Sequence, residues 1–385
     1  MAVDVSTERG CRSRFGNLRS ATGDPLRREN VFYVASPEEL EQCLRGATPS
    51  DAVLFVQEST RTGHIGQAIA ISGAARRLGL GSEALDLSEA AARAVQGDVQ
   101  GAKGLVDDVL ARVPAHALAL HIQARLFVEL GDPARAKASL GRLIDVFPDY
   151  PGAHGMLAAL AFPGPPYKDV LARVHRLLRP QTYLEIGVEF GATLALATTA
   201  TIAAGVDPAP LAPEKCPKGA RFYRMTSDEF FVRETVDTVF DGKPVDIAFI
   251  DGMHWFEYAL RDFANVERWA APGSTIVLHD CLAVTPLAAR RERASTFWVG
   301  DVWKVLEVLL ELRPDLHISI VPTRPSGLVI VRRLDPTSRV LADNLREIVQ
   351  HRLDAPYPYA LATWPERYPF VTNDDAGLAR ALGPS

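Results

Sequence analysis

The chain has 385 residues, of which 47% are hydrophobic and 23% charged, and its formal net charge is −5. This length suits two or three domains, and this composition is ordinary for a soluble globular protein. The small negative charge gives no electrostatic reason to expect nucleic acid as a partner, and no segment approaches the ~18 apolar residues of a membrane span.

The N-terminal part of the chain is predicted to be a tail followed by an auxiliary region. Residues 1–30 are rich in arginine and lack the apolar segment of a signal peptide, so they are predicted to be a disordered tail. Residues 31–85 form the auxiliary region, in which Ala52–Val56 is predicted to be a strand. The cysteines lack C-x-x-C spacing, which favours reduced thiols in a cytoplasmic protein; they are Cys11, Cys43, Cys216 and Cys281.

Residues 86–161 contain a repeat of 34 residues. Gly97-Asp98 recurs as Gly131-Asp132, and Ala102-Lys103 recurs as Ala136-Lys137. A period of 34 resembles the tetratricopeptide repeat, a stacked pair of helices. Two copies need further helices to pack against, such as residues 64–79. The repeats are expected either to recruit a protein partner or to serve as a spacer or homo-oligomer surface.

After the proline-rich segment 162–166, residues 167–335 alternate between helix and strand signals. A helix is predicted at 167–178 and another at 301–312. A short link at 323–326 predicts that the last two strands form an antiparallel hairpin. Residues 336–385 are predicted to add a helix and an aromatic tail. The predicted strands are 182–187, 201–207, 221–225, 245–251, 274–279, 316–322 and 327–333.

The first of these strands leads into the most informative motif of the chain. Glu185, Gly187 and Gly191 form the pattern E-x-G-x-x-x-G, and Asp207 ends the next strand. A strand, a glycine-rich turn and a second strand ending in an acid are typical of a nucleoside site in an open α/β sheet. The acids in and before the turn would repel a pyrophosphate but tolerate a sulfonium cation with an amino-acid tail.

At these residues the chain resembles the class I S-adenosylmethionine-dependent methyltransferases. The resemblance implies a Rossmann-like α/β sheet, mostly parallel with a C-terminal antiparallel hairpin, beside a mainly helical N-terminal region. It further implies that Glu185, Gly187, Gly191 and Asp207 bind the donor, and that Ser227 or Asp228 contacts its adenine. Capping of a helix N-terminus by Ser227 is the alternative.

Two further strands end on acids. Asp251 follows the strand at 245–251, with His254 three residues on, and the neighbouring strand ends on His279 and Asp280. Because the carboxyl ends of adjacent parallel strands meet at one edge of the sheet, both acids are expected in the same crevice. A hard divalent ion such as Mg²⁺ would satisfy them; hydrogen-bonded acids without metal are the alternative.

The motif D-G-x-H followed by H-D resembles a group of metal-dependent O-methyltransferases, which includes macrolide-sugar methyltransferases and relatives of cephalosporin hydroxylase. The resemblance implies that Asp251, Asp280 and, in some members, His279 hold the metal, and that His254 is the general base. The macrolide-sugar enzymes carry an acid at the position of His279. The alternative for His254 is a hydrogen bond to a loop carbonyl.

The predicted function is therefore a cytoplasmic O-methyltransferase that uses S-adenosylmethionine and Mg²⁺. The expected acceptor is a hydroxyl group of a sugar-like or polyketide-like small molecule from natural-product biosynthesis. Two rival hypotheses remain: a degenerate methyltransferase domain that serves as a scaffold, and an iron-dependent hydroxylase with a two-histidine, one-carboxylate site. The loop before the last predicted helix contains Arg291 and Trp298. The resemblance implies that this loop forms a lid over the acceptor, and a solvated surface is the alternative for its arginines.

Overall fold

The structure, a computed structural model, describes residues 37–212, 216–358 and 364–383. The predicted disordered tail, residues 1–30, lies outside these ranges, as do Cys11 and Tyr359. The chain divides into two compact units, Met1–Tyr150 and Pro151–Ser385. No helix in the described ranges is both long and apolar enough to cross a membrane.

The first unit is helical throughout its described residues. Helices that follow each other in the chain pack together, α4 on α5 and α6 on α7 among them. The 34-residue repeat is visible in the helix caps, because Asp98 and Asp132 each accept a hydrogen bond from the backbone three residues on. The helices are α1 Pro37–Leu44, α2 Pro49–Arg61, α3 Ile65–Arg77, α4 Glu83–Gln96, α5 Val99–Arg112, α6 Ala117–Glu129 and α7 Pro133–Val146.

The predicted strand at Ala52–Val56 is wrong, because these residues lie inside helix α2. Thr48 and Asp51 form a capping box at the start of this helix, and Pro49 occupies its first position. Ala52, Phe55 and Val56 are buried at helical spacing. A short apolar run does not by itself distinguish a strand from a buried helix face, whereas the capping residues before it do.

The second unit contains a seven-stranded sheet with the strand order β3-β2-β1-β4-β5-β7-β6. Strands β1 to β5 pair in parallel, and β7 is antiparallel to both β5 and β6. The predicted fold class is confirmed: a mostly parallel α/β sheet with a C-terminal antiparallel pair, together with a helical N-terminal region. The strands are β1 Thr182–Ile186, β2 Ile202–Val206, β3 Arg221–Tyr223, β4 Val245–Ile250, β5 Ala270–His279, β6 His317–Val321 and β7 Leu328–Arg332.

Helices accompany the sheet along the chain. They are α8 Ala153–Ala161, α9 Tyr167–Leu178, α10 Ser227–Arg233, α11 Val236–Phe240, α12 Phe256–Arg268, α13 Trp303–Leu312, α14 Val340–Arg352, α15 Trp364–Arg367 and α16 Asp375–Leu382. Helix α9 buries Val170 and Val174 against Tyr183 and Phe249 of the sheet, in one apolar core. The predicted C-terminal aromatic tail includes Phe370, which bridges Ile320 of edge strand β6.

The register of the sheet brings the predicted site residues to one edge. Ile186 at the end of β1 is level with Val206 at the end of β2 and with Ile250 at the end of β4. Ile250 is in turn level with Leu278 of β5. The residues that follow these four positions therefore emerge side by side at the carboxyl end of the sheet, where ligands of open α/β sheets bind.

Candidate functional site

The turn after β1 is tied to the end of β2 by one carboxylate. The backbone N–H groups of Val188 and Glu189 each donate to Oδ2 of Asp207 at 2.9 Å, and Ala209 N–H donates to Oδ1 at 2.8 Å. Gly187 and Gly191 both have positive φ angles, 85° and 69°, as the reversal of the chain requires. Asp207 is thus held in a fixed position beside the glycine turn.

Glu185 lies beneath this turn. Its side chain is fully buried and accepts hydrogen bonds from Tyr183 Oη at 2.6 Å and Thr193 Oγ1 at 2.8 Å. Burial raises the pKa of Glu185 to about 8. Glu185 does not line the cavity described below, so its observed contacts hold strand β1 to the segment that follows the turn.

A cavity of about 750 Å³ lies over the carboxyl ends of the strands. Its lining includes most residues that the sequence predicted for the site, and does not include Glu185 or Gly191. The two predicted groups, donor-binding and metal-binding, therefore face the same space. The predicted residues in the lining are Gly187, Asp207, Ser227, Asp228, Asp251, His254, His279 and Asp280.

Helix α10 contributes Ser227 and Asp228 to the wall. Thr226 caps this helix, in a capping box with Glu229, so the alternative that Ser227 caps it is wrong. Asp228 is paired with Arg261 of helix α12, with an Nη2–Oδ2 distance of 2.7 Å. Ser227 stands at the first position of the helix and is placed on the cavity wall.

At the other end of the cavity, two acids and two histidines form a cluster. His254 Nε2 lies 3.0 Å from Asp280 Oδ2 and 3.5 Å from Asp251 Oδ1. His279 Nδ1 lies 3.1 Å from Asp251 Oδ1 and 3.4 Å from Asp280 Oδ1. Ser326, in the link between β6 and β7, donates to Asp280 Oδ1 at 2.5 Å. Each of the two histidines therefore lies within 3.5 Å of both acids.

The charges of the cluster shift its pKa values strongly. Burial lowers the pKa of His254, but Asp280 and Asp251 outweigh this effect and raise it to about 9. Burial is likewise outweighed at His279, whose pKa lies well above its ordinary value because of Asp251 and Asp280. Burial by itself would raise the pKa of Asp251, but His279 and His254 outweigh burial, and the pKa of Asp251 lies below its ordinary value. The neighbouring carboxylates thus favour the charged form of both histidines.

The two histidines of the cluster differ in how exposed they are. His279 is 6% exposed, and its second nitrogen, Nε2, lies 3.3 Å from Ser326 Oγ, so both of its nitrogens have partners within the protein. His254 is more exposed, and its Nδ1 donates to the carbonyl of Trp298 at 3.2 Å. This is a hydrogen bond to a loop carbonyl, which the sequence analysis gave as the alternative role of His254. The same bond turns Nε2 of His254 towards the acids.

The cluster fits a divalent cation. Asp251, His254 and Asp280 each offer one ligand atom, and these atoms all lie within 4.8 Å of one another. Mg²⁺ accepts one or two carboxylates and completes its shell with water or substrate oxygens. This group includes His254, which the sequence predicted as a general base, and does not include His279, which the sequence predicted as a ligand.

Loop 281–300 covers this end of the cavity and contributes Phe297 and Trp298 to the lining. The predicted lid arginine, Arg291, is not simply a solvated surface charge. Its guanidinium pairs with Glu257 at 2.5 Å and with Asp301 at 3.3 Å. The N–H of Asp301 donates to the carbonyl of His254 at 3.2 Å, which fixes the end of the loop beside the cluster.

Three site residues were missed at the sequence level: Tyr167, Lys168 and Ser326. Tyr167 and Lys168 begin helix α9 and line the cavity, with the Tyr167 ring 4.2 Å from that of His279. Burial raises the pKa of Tyr167, and the charges of Asp251 and Asp280 raise it further. No motif marks these residues, because a helix and a hairpin link reach the site only through the tertiary fold.

Residues 184–281, about a quarter of the chain, match a protein family described as a methyltransferase domain. The match spans both the glycine turn and the Asp–His cluster. No curated protein matches the chain.

Solved structures give more distant likenesses. Cofactor-bound Rv0187 from MTB is 16% identical, over 53% of this chain and 98% of that protein, with a TM-score of 0.36. The O-methyltransferase from Bacillus cereus in complex with SAH is 13% identical, over 50% and 96%, with a TM-score of 0.32. A tetratricopeptide repeat protein from Parabacteroides merdae is 16% identical, over 40% and 59%, with a TM-score of 0.29. Likeness at this level carries no argument about substrate or partner.

Proposed function

We propose that this protein is an S-adenosylmethionine-dependent O-methyltransferase, assisted by Mg²⁺, that acts on a hydroxyl group of a sugar-like or polyketide-like small molecule. One observation carries the proposal. Asp207 with its glycine turn and the group Asp251, His254 and Asp280 lie on the walls of a single cavity of about 750 Å³. This volume is within the usual range for small-molecule sites.

Asp207 supports the donor half of the proposal. It stands at the end of β2, and its two oxygens already accept three backbone hydrogen bonds. A carboxylate has about four acceptor positions, so one remains for a ribose hydroxyl. The backbone bonds orient the carboxylate before any ligand binds, which reduces the entropy lost on binding.

The acceptor half of the proposal rests on the Asp–His cluster. Asp251 and Asp280 would hold the cation, which when bound would lower the pKa of an acceptor hydroxyl. Such a cation would also offset the two carboxylates that raise the pKa of His254, so its neutral imidazole would accept the proton of that hydroxyl at Nε2 while Nδ1 donates to the carbonyl of Trp298. The oxygen would then attack the methyl carbon of the donor as the carbon–sulfur bond breaks, and S-adenosylhomocysteine would leave with that electron pair on its sulfur; the lid residues Phe297 and Trp298 would exclude water. The sugar-like or polyketide-like acceptor is inferred from the resemblance to the macrolide-sugar enzymes.

The two rival functions make different demands on the same residues. An iron site with two histidines would need His279, which is only 6% exposed and has Ser326 Oγ 3.3 Å from its Nε2. A degenerate scaffold has no use for a carboxylate at Asp207 that is held in position on the cavity wall by three backbone hydrogen bonds. No observation in the described residues favours either rival.

The test is transfer of a labelled methyl group from S-adenosylmethionine to a panel of glycosides, macrolide aglycones and catechols. The wild-type protein should methylate a member of the panel with Mg²⁺ and lose most of this activity with a chelator. Asp251→Asn should lose activity at least a hundredfold, whereas Asp237→Asn, an exposed acid on helix α11, should not. Donor binding without transfer to any acceptor would favour the scaffold; bound iron without donor binding would favour the hydroxylase.

A further inference from the structure

The cavity wall carries one cation of fixed charge among many acids. Within the described ranges, Lys168 is the only lysine or arginine in the lining. The neighbouring charges, apart from the two histidines, are all negative. These acids repel an anionic group of a ligand over much of the wall, and within the described ranges Lys168 is the one side chain of fixed positive charge in the lining that attracts it. The acids in the lining are Glu189, Asp207, Asp228, Asp251 and Asp280.

Lys168 is free to bind such a group. It lies in the first turn of helix α9, its side chain is exposed, and its Nζ is 5.7 Å from the centre of the Tyr167 ring. It forms no ion pair or hydrogen bond with any residue that the structure describes. The Tyr167 ring packs on His279, so Lys168 lies close to the cavity and its four-carbon stem gives it reach.

The backbone of the glycine turn offers few donors in place of Lys168. The N–H groups of Val188 and Glu189 are used by Asp207. Gly187 donates to the carbonyl of Val206, and Gly191 donates to the carbonyl of Val188. These four N–H groups are therefore not available to an anionic group of a ligand.

We propose that Lys168 binds the α-carboxylate of the donor, and this inference rests on the proposed function. At neutral pH, S-adenosylmethionine has one anionic group, the carboxylate of its amino-acid tail. The ammonium and sulfonium groups of the donor suit a cavity lined by acids, whereas its carboxylate is repelled by them and is favoured beside a fixed cation. Lys168 supplies that charge, so it is a donor-binding residue that the glycine motif does not contain.

The experiment measures the affinity of two ligands by calorimetric titration, both of which have an uncharged thioether sulfur in place of the sulfonium. S-adenosylhomocysteine carries the carboxylate, whereas 5′-methylthioadenosine has the same nucleoside without the amino-acid tail. Lys168→Met should weaken binding of S-adenosylhomocysteine about tenfold and leave binding of 5′-methylthioadenosine unchanged; a tenfold change corresponds to about 1.4 kcal/mol. Lys168→Arg should retain most of the wild-type affinity, because it keeps the charge.

Lys243→Met is the matched control. It removes the same charge from an exposed lysine that precedes β4, at the end of the sheet opposite the cavity, and should change neither affinity. Unchanged binding of S-adenosylhomocysteine to Lys168→Met would overturn the assignment, and so would an equal loss for both ligands. If wild-type protein binds neither ligand, the proposed function itself fails. That result is distinguishable from the failure of Lys168 alone.

Discussion

Gly187 packs directly against the backbone carbonyl of Asp251. A Cβ atom built on Gly187 would lie 2.0 Å from that oxygen, far inside van der Waals contact. The two residues follow neighbouring strands, β1 and β4, and the N–H of Asp251 donates to the carbonyl of Ile186 at 2.8 Å. The glycine turn and the Asp–His cluster are therefore built on one tightly packed pair of strand ends.

This contact predicts the effect of Gly187→Ala. The new methyl group would force the two strand ends apart, and the φ angle of 85° is itself unfavourable for alanine. We expect the free energy of unfolding to fall by about 2–4 kcal/mol, with loss of both donor binding and activity. Chemical unfolding followed by tryptophan fluorescence measures this, since all five tryptophans lie after residue 150.

Gly219→Ala controls for the backbone angle alone. Gly219 has a φ of 97°, and no atom lies within 4 Å of its would-be Cβ. Gly219→Ala should lower the free energy of unfolding by only about 1–2 kcal/mol and leave donor binding intact. Equal destabilisation by the two substitutions would show that the contact with Asp251 is not important.

Glu185 predicts a specific dependence of stability on pH. Its pKa is raised to about 8 in the folded protein, compared with 4.5 for an unperturbed glutamate. The folded state therefore retains this proton at pH values where the unfolded state has lost it. The stabilisation is fully present below about pH 4.5 and is lost as the pH rises towards 8, at up to about 1.4 kcal/mol per pH unit.

Glu185→Gln tests this dependence, because glutamine stays neutral at every pH. The free energy of unfolding of the variant, relative to wild type, should rise steadily between pH 5 and pH 8. Urea unfolding at four pH values, followed by tryptophan fluorescence, measures the difference. Parallel pH profiles for the two proteins would contradict a buried, protonated Glu185.

Ser326 predicts a loss of metal binding without a loss of donor binding. Its hydroxyl donates to Asp280 and lies 3.3 Å from His279, so Ser326→Ala leaves two buried polar atoms without this partner. Loss of such a supporting hydrogen bond typically lowers metal affinity or activity by about 10- to 100-fold. Titration with Mn²⁺ should show the loss, while titration with S-adenosylhomocysteine should match wild type.

Ser319→Ala is the control for this substitution. Ser319 is a buried serine on β6 that lies 3.3 Å from His317 Nε2 and does not line the cavity. It should leave Mn²⁺ binding unchanged. Weakened donor binding in Ser326→Ala would instead indicate a general disturbance of the sheet edge.

The sequence predicted the sheet and most of its site for a clear physical reason. Parallel strands that end level with one another deliver their next residues to one edge, so acids read at strand ends, such as Asp207 and Asp251, face one cavity. Local sequence patterns also predict which residues cap the helices. Thr226 with Glu229 has the spacing of a capping box, which distinguishes it from Ser227.

The remaining parts of the site depend on contacts between distant segments. Lys168 and Ser326 come from a helix before the sheet and from the link between its last two strands. Their positions follow from packing, as in the hydrogen bond from Tyr167 N–H to the carbonyl of Arg324. No short motif encodes such a contact. Glu185 is a different case, because a short motif contains it. The motif predicted that Glu185 binds the donor, and it did not predict that Glu185 is buried beneath the turn.

The most direct measurement of the central claim is calorimetric titration of S-adenosylmethionine into the full-length protein, with and without Mg²⁺. Wild type should bind with micromolar affinity, and Asp207→Ala should weaken binding at least tenfold, or about 1.4 kcal/mol. Asp237→Ala, which removes an exposed acid of helix α11, should bind like wild type. Absence of binding to wild type under both conditions would contradict a donor site at Asp207 and, with it, the assignment as a methyltransferase.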